Sequence, residues 1–596
     1  ATFWVGHLQA FTTDNLNTYI WDAADNLAST LPVNRRIFTS DNTWTRQDFT
    51  TSYITPAILS VANTGIRDNV VNYIRGTGHD NNAKLGDIFH SKPVVVGPPS
   101  QFFFDEGYSN PPGTSFFDVN KHRRRVIYVG TNDGMLHAFL SGIYQTSGPN
   151  IGQYSSGTGE ELFGYIPGII LGSIQNILPD DLSSHWYYVD SSPRAADVWI
   201  DNNADGIKQS SEWKTVLIAG LRKGGSGYFA LDVTKPDDGD YPKVLWEYVA
   251  PTHIGESWSE PFIGKVRVTN SSWTTHPVRD RWVAIFGGGM PTGAATGKAL
   301  VVLDIATGRE MKIFTTGIDN AVPASPTAVL DASGYIRFVY VADVHGSLYK
   351  FDFRSTGTDN TYSEWTMKKV FQASAGQPVY HRVEAGSITE NLRYLFFGTG
   401  DQEFPISNVG TGKFYAIMDT DAMPTTPLTE TNLTDLSGSI TSRTGGTVGA
   451  LKSGWFIDFS TVPSTANDTK THSGEKVLSD PVVFYNAVYF TTFTPDPFNP
   501  CGGGGVARVY GLNMLNAGAS LASIASLGET TATKVPYHVF TGGAGSEGGL
   551  PSSPSLSIYP SGQSSIFVGF STGVVREIKI DSPAYYKSIK SWKEIF

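Results

Sequence analysis

Twelve consecutive residues carry most of the chemistry this sequence has to offer. In the stretch DNNADGIKQSSE, residues 201–212, oxygen-bearing side chains stand at the first, third, fifth, ninth and twelfth positions and glycine at the sixth. That order matches the calcium loop D-x-[DN]-x-[DN]-G-x5-E, which wraps about six to eight oxygens round one hard cation. Asp201, Asn203 and Asp205 would give side-chain oxygens and Ile207 its backbone carbonyl. Gln209 would reach the ion directly or through water, and Glu212 would close the set. Three carboxylates against a divalent ion leave an unfilled loop repelling itself, and with one Asn in place of a carboxylate the expected dissociation constant is about micromolar to submillimolar. The competing reading is an Asn/Asp-rich hairpin in which ADG merely reverses the chain. A turn does not require the glutamate at the twelfth position.

Other motif matches fail in context. DLSGS, Asp435 to Ser439, has the D-x-S-x-S form of an adhesion-type metal site, but TETNLT precedes it where a buried strand is needed; it reads as a polar insertion. GAGSEG, Gly543 to Gly548, spells G-x-G-x-x-G, yet GLPSSP follows where a helix should start, so no helix N-terminus is on hand for phosphate. The 12 histidines are dispersed, and His137 and His345 sit in strand-turn runs, where a structural role is expected. KHRRR, Lys121 to Arg125, reads as a solvated strand edge. No catalytic constellation emerges, and the chain is not expected to be an enzyme.

The elements that hold the loop are read from repetition. Pro93, Pro193, Pro261, Pro326, Pro378, Pro481 and Pro554 each open a β-rich run, from 52 residues (Pro326 to Pro378) to 103 residues (Pro378 to Pro481) apart. Asp232, Asp304, Asp352 and Asn513 close strands where an Asx side chain caps a turn. Proline suits a first strand, because it donates nothing to a central ladder. With 63 Gly, 33 Pro, 12% aromatic and 17% charged residues, the composition also favours short strands and turns. The fold class is therefore all-β, a seven-bladed β-propeller over residues 85–596 with blade insertions, the alternative being two or more β-sandwiches. Residues 1–84 form a lead-in with short helices; its 51–78 stretch shows helical spacing broken at Gly65, with Asp68 placed to open a second helix. The β-like flanks of the 201–212 loop and Pro193 before it place the loop between two strands of a blade, not in an EF-hand.

A formal charge of −11 opposes nucleic acid and anionic membranes as partners. The lone Cys501 excludes an internal disulfide, a paired-cysteine zinc site and covalent c-type haem. No apolar run is long enough to span a bilayer. Ala1 at the start implies removal of a leader or of a larger N-terminal piece.

Several stretches carry a family likeness: GDIFHSKPVVVG (86–97), YVGTNDGMLHAF (128–139), ELFGYIP (161–167), WKTVLIAGLRKGGSGYFALDVTKP (213–236), YVADVHGSLYKFDF (340–353), FFGTGDQE (396–403) and GEKVLSDPVV (474–483), with FWVGHLQAF at the start and SWKEIF at the end. In this order they resemble the C-terminal half of the PilC/PilY family of type IV pilus tip-associated adhesins. The resemblance implies an extracellular protein at the pilus tip, engaged with minor pilins, that acts in pilus assembly, in the control of extension against retraction, and in attachment to a host or abiotic surface. It also implies calcium in a propeller-blade loop, which the 201–212 stretch matches. The resemblance does not carry a second ion to Asp331, where DASGYIRFVYVAD has lost the Asp-rich pattern, and the nearest stretch to Arg-Gly-Asp is Arg75-Gly76-Thr77, which lacks the carboxylate. A quinoprotein-like propeller dehydrogenase is the alternative, since LDIATGRE and LDVTKP followed by VLWEY are similar to quinone-propeller docking repeats, although the adjacent cysteine pair often found there is impossible here.

Overall fold

Strand formation here is driven by runs whose residues are buried on both faces. In Trp213–Gly220 every residue from Val216 to Ala219 is fully buried, the pattern of a central strand with layers on either side. The computed structural model describes residues 5–582 except 13–14, 80–82, 101–104, 179–184, 274, 359–360, 443–451, 466–467, 497–504, 525–526, 528–533, 543–548 and 560–561. Cys501, the Gly543–Gly548 motif and the closing SWKEIF lie outside the described residues.

The chain forms two compact units, Ala1–Thr315 with Thr356–Glu364, and Thr316–Ser355 with Trp365–Phe596. Among the described residues seven sheets of three or more strands follow one another along the sequence, three in the first unit and four in the second. Six contain an antiparallel four-strand meander, and the seventh has three strands among the described residues. The first strands are Val94–Val96, Arg194–Trp199, Phe262–Thr269, Thr327–Leu330, Glu384–Thr389, Val482–Phe484 and Ser555–Ile558. Six of the seven repeat prolines occupy the residue directly before such a strand; only Pro378 stands back, six residues before Glu384. At the strand entrance a fixed φ and a missing N–H cost nothing, which is why the prolines mark the period.

Successive sheets pack through aromatic rings. Tyr228 stacks on Phe286 at 3.9 Å and Trp213 meets Trp282 edge-on at 5.3 Å in the first unit. Phe414, Phe490 and Tyr510 form a continuous stack, at 3.7 and 4.7 Å, in the second. The Asx caps form as the sequence implies. Asp232 Oδ1 accepts from Thr234 N at 2.9 Å, Asp304 Oδ1 from Thr307 N at 3.0 Å, Asp352 Oδ1 from Arg354 N at 3.0 Å and Asn513 Oδ1 from Leu515 N at 3.0 Å. Asp304 also takes the Thr307 hydroxyl. Asp304→Ala is expected to cost about 1 kcal/mol, read as a lower thermal midpoint with unchanged circular dichroism.

The lead-in is built differently from the expectation of two helical stretches. Residues 51–60 run through turns, and the helix Thr64–Ile74 passes through Gly65. Its cap is Asn63, whose side chain accepts from Ile66 N at 3.0 Å, so Asp68 lies inside the helix instead of opening it. Glycine in the first turn is tolerated because the cap supplies the local hydrogen bond. The lead-in also holds a hairpin (Gln9–Thr12 with Asn15–Asp22) and the helix Ala23–Ser29. Strand Ile37–Ser40 pairs in parallel with Glu161–Tyr165, and Arg46–Asp48 pairs with it in turn. The first sheet therefore crosses the 84/85 line and has six strands.

Candidate metal centre

The 201–212 loop joins Arg194–Trp199 to Trp213–Gly220, two strands paired antiparallel with Trp199 opposite Trp213. Closing it requires a tight reversal, and two residues adopt left-handed backbone to make it, Ala204 (φ 58°) and Gly206 (φ 77°). Gly206 is required for a second reason, because a Cβ there would lie 2.8 Å from Arg279 Nε.

Inside the loop the polar side chains turn toward one another. Asp205 Oδ1 accepts from Ile207 N at 2.7 Å, while its Oδ2 takes Asn203 Nδ2 at 3.0 Å and Gln209 Nε2 at 3.2 Å. Asn203 Oδ1 accepts from Asp205 N at 3.0 Å. Asp201 Oδ2 accepts from Gly206 N at 3.1 Å and pairs with Arg279 Nη1 at 2.9 Å. Glu212 is buried and its Oε2 takes Trp199 Nε1 at 2.9 Å and Gln209 N at 3.2 Å. The structure thus joins Asn203, Asp205, Ile207 and Gln209 by mutual hydrogen bonds, holds Asp201 apart from them on Gly206 N and Arg279, and sets Glu212 at the stem of the loop against Trp199. Among the described residues no group of three or more His, Cys, Asp or Glu is gathered as a metal cluster.

One atom stands out as a test of fit. Asp201 Oδ1 is buried and has no hydrogen-bond partner among the described residues. A buried carboxylate oxygen left unsatisfied costs roughly 1–3 kcal/mol or more, so its retention calls for a cation or a water. The candidate donors that the loop's sequence offers are hard oxygens, the class that suits calcium over softer metals.

The loop is clamped from outside. Lys208 pairs with Asp280 at 2.6 Å and with Asp105, and lies 5.9 and 5.5 Å from the rings of Trp199 and Trp282. His276 Nδ1 lies 3.2 Å from the Asp205 carbonyl oxygen. Asp280 and His276 belong to the next sheet and the turn before its second strand, Val278–Gly287.

Elsewhere the structure places the remaining motifs. Asp435 Oδ1 accepts from the backbone N and the hydroxyl of Ser437, a closed polar turn. The reading of 121–125 as a solvated edge is corrected at Arg123; Lys121, His122, Arg124 and Arg125 are at least partly exposed. Arg123 is buried, donating to Gly97 O at 2.6 Å, Thr215 Oγ1 at 2.6 Å and Thr234 O at 3.2 Å, so it pins two sheets together. Among the described residues three buried titratable clusters escaped sequence reading: Arg35, Glu161, His137 and Asp133 in the first unit, and, in the second, Arg508, Asp468, His472 and Glu475, and Arg393, Lys350 and Asp419. Each is internally charge-paired.

A family model described as the PilY1 beta-propeller domain matches residues 85–435. The type IV pilus biogenesis factor PilY1 of Pseudomonas aeruginosa (strain UCBPP-PA14) is 26% identical over 604 residues, covering 86% of this chain and 48% of that protein. A PilY1 homolog of Xylella fastidiosa (strain Temecula1) is 26% identical over 637 residues, covering 99% of this chain and 46% of its own length. The chain therefore spans about half the length of the curated relatives it matches. The crystal structure of the Pseudomonas aeruginosa PilY1 C-terminal domain aligns with a TM-score of 0.57 and 22% identity, over 82% of this chain and 99% of that one. At that identity the likeness speaks for the β-propeller fold.

Proposed function

We propose, from the premise that the chain belongs to the PilY1 β-propeller family, that it acts in type IV pilus biogenesis as a calcium-binding propeller. The observation that carries the calcium part is the buried Asp201 Oδ1, which has no hydrogen-bond partner among the described residues and opens a loop whose sequence supplies further hard oxygens. Asp201, Asn203, Asp205, Ile207, Gln209 and Glu212 are the residues that would hold the ion. A bound calcium would supply the divalent charge that offsets the repulsion among the loop's carboxylates. Arg279, Lys208 and Trp199 hold the loop's two ends and its middle against neighbouring strands. Ordering of the loop therefore stiffens the junction between the second and third sheets, and a partner that prefers the stiffened surface binds better with calcium present.

Minor pilins at the pilus tip are the partners this reading implies, with an extracellular location and roles in extension against retraction and in surface attachment. The relatives' names, type IV pilus biogenesis factors, support the pilus assignment. Among the described residues no helix is long and apolar enough to cross a membrane.

Asp205 is the residue to change, because among the described residues its side chain bonds within an exposed part of the loop, whereas Asp201 is buried against Arg279. Asp205→Ala is expected to weaken calcium binding at least about tenfold, measured by calorimetry beside the wild type. Equal binding in both would remove the calcium assignment. In cells the same variant is expected to change twitching as calcium is varied, and capture of tip pilins should respond to chelator in the wild type alone. Normal pilus number and twitching of the variant at every calcium level would refute the switch.

A further inference from the structure

We infer that Arg279 is a built-in cation of the 201–212 loop, holding it closed without metal and setting how weakly it takes a divalent ion; this rests on the calcium reading above. Arg279 comes from the third sheet, and its side chain is 3% exposed against 1% for Asp201. Its Nη1 donates both to Asp201 Oδ2 at 2.9 Å and to the carbonyl of Ala204 at 2.6 Å, the residue whose left-handed backbone turns the loop. Its Nε and Nη2 donate to the carbonyls of His276 and Thr275, each at 3.2 Å, and the guanidinium lies over Trp273 at 4.3 Å. The charge is therefore fixed in place on the loop's first and fourth residues, not a mobile surface arginine.

Asp201 is divided by this arrangement. One oxygen belongs to the guanidinium, and the other is buried with no hydrogen-bond partner among the described residues. An ion taken up at the free oxygen shares one carboxylate with a fixed positive charge, and the two cations repel in a site shielded from water. The same guanidinium supplies the attraction that the metal-free loop lacks, so its carboxylates need not splay apart. Arg279 thus trades calcium affinity for order at Asp201 and Ala204, tying that end of the loop to the next blade whether or not the ion is bound, and leaves Asn203, Asp205 and Gln209 as the part that the ion orders.

Calorimetry with calcium on the wild type, Arg279→Gln and Arg279→Lys tests this, with thermal midpoints in chelator and in calcium as the second readout. Arg279→Gln is expected to bind calcium about tenfold more tightly, to have a lower midpoint in chelator, and to gain more from calcium than the wild type does. Arg279→Lys keeps the charge and should stay within about threefold of wild-type affinity. A simple strut would give the opposite sign, with weaker binding in Arg279→Gln, and that result or an unchanged affinity overturns the inference while leaving the calcium reading standing. A fall beyond about threefold in Arg279→Lys, which remains informative if Arg279→Gln fails to fold, overturns it as well. Calcium binding by Arg279→Gln alone would support the inference and end the calcium reading of the wild type; binding by neither protein would end both.

Discussion

Arg508→Met is expected to destabilise the second unit by about 3–5 kcal/mol near neutral pH, the range for leaving a buried charge without its partner. Arg508 is fully buried in strand Gly505–Asn513. It donates to both oxygens of Asp468, at 2.7 and 3.2 Å, and to Glu475 Oε2 at 3.1 Å and Thr494 Oγ1 at 2.8 Å. Both carboxylates are buried as well, so the guanidinium is the main charge that keeps two anions together in the interior. Burial alone would push the Asp468 and Glu475 carboxyls up; His472 and Arg508 overcome it and hold both below their ordinary values, Asp468 well below. Carboxylates depressed in the fold stabilise it above their unfolded range, about pH 4, and lose that contribution as pH falls. In the variant one of them takes up a proton instead, so the deficit against the wild type should be larger at about pH 7.5 than at about pH 4.5. Calorimetric unfolding at both pH values checks this. A deficit that does not change with pH would show that lost packing, not stranded charge, sets the cost.

What the sequence made readable, and what it hid, divides along the range of the physics involved. The repeat prolines and the Asp and Asn caps act through backbone within a few residues, so Pro93 before Val94 and Asp304 before Thr307 are where the pattern puts them. The loop's spacing is local too, and the mutual hydrogen bonds of Asn203, Asp205 and Gln209 follow from it. Arg279 stands 78 residues from Asp201 and reaches the loop only because consecutive sheets pack face to face. Glu212 matches the twelfth position of the motif, yet its neighbour is Trp199, thirteen residues back, because the stem strands pair in register. Buried charges were hidden for a related reason. A charged residue reads as surface, so KHRRR reads as a solvated edge although Arg123 in it is enclosed by Gly97, Thr215 and Thr234. The usable signal was flanking context: Arg508 in VARVYGL, Arg393 in LRYLFF and Glu161 in ELFGY sit within apolar strand runs, where one face or the other must enter a core. In the lead-in, Asn63 takes the cap by accepting from Ile66 N, so the helix starts one turn before Asp68 and carries the buried Val70, Val71, Tyr73 and Ile74.

His137→Gln should flatten the alkaline limb of stability in the first unit. The imidazole is fully buried with a carboxylate on each nitrogen, Asp133 at 3.0 Å from Nε2 and Glu161 at 2.7 Å from Nδ1. Arg35 braces Glu161 with two bonds of 2.8 Å, one to each carboxylate oxygen, and donates to Ile74 O, while Asp133 accepts from Gly86 N. The cluster thus joins the lead-in to the first blade. Burial alone would push the His137 imidazole down, but Asp133 and Glu161 carry it up to about 9, because the protonated ring has a donor for each anion. A group raised in the fold stabilises fully below its unfolded value, about pH 6.5, and loses that contribution as pH rises through the folded one. The loss between about pH 6.5 and pH 9.5 amounts to about 3 kcal/mol, at 1.36 kcal/mol for each pH unit between the two values. Glu161 and Asp133 are held below the usual carboxylate range, so they stay ionised across this window and add no slope of their own. Glutamine keeps a polar side chain in the gap but carries no proton to lose. The variant is therefore expected to be less stable than the wild type at about pH 6 and to approach it as pH nears about 9.5. Equal slopes for the two proteins in urea unfolding over that range would mean the ring is neutral in the fold, with the two carboxylates compensated by Arg35 alone.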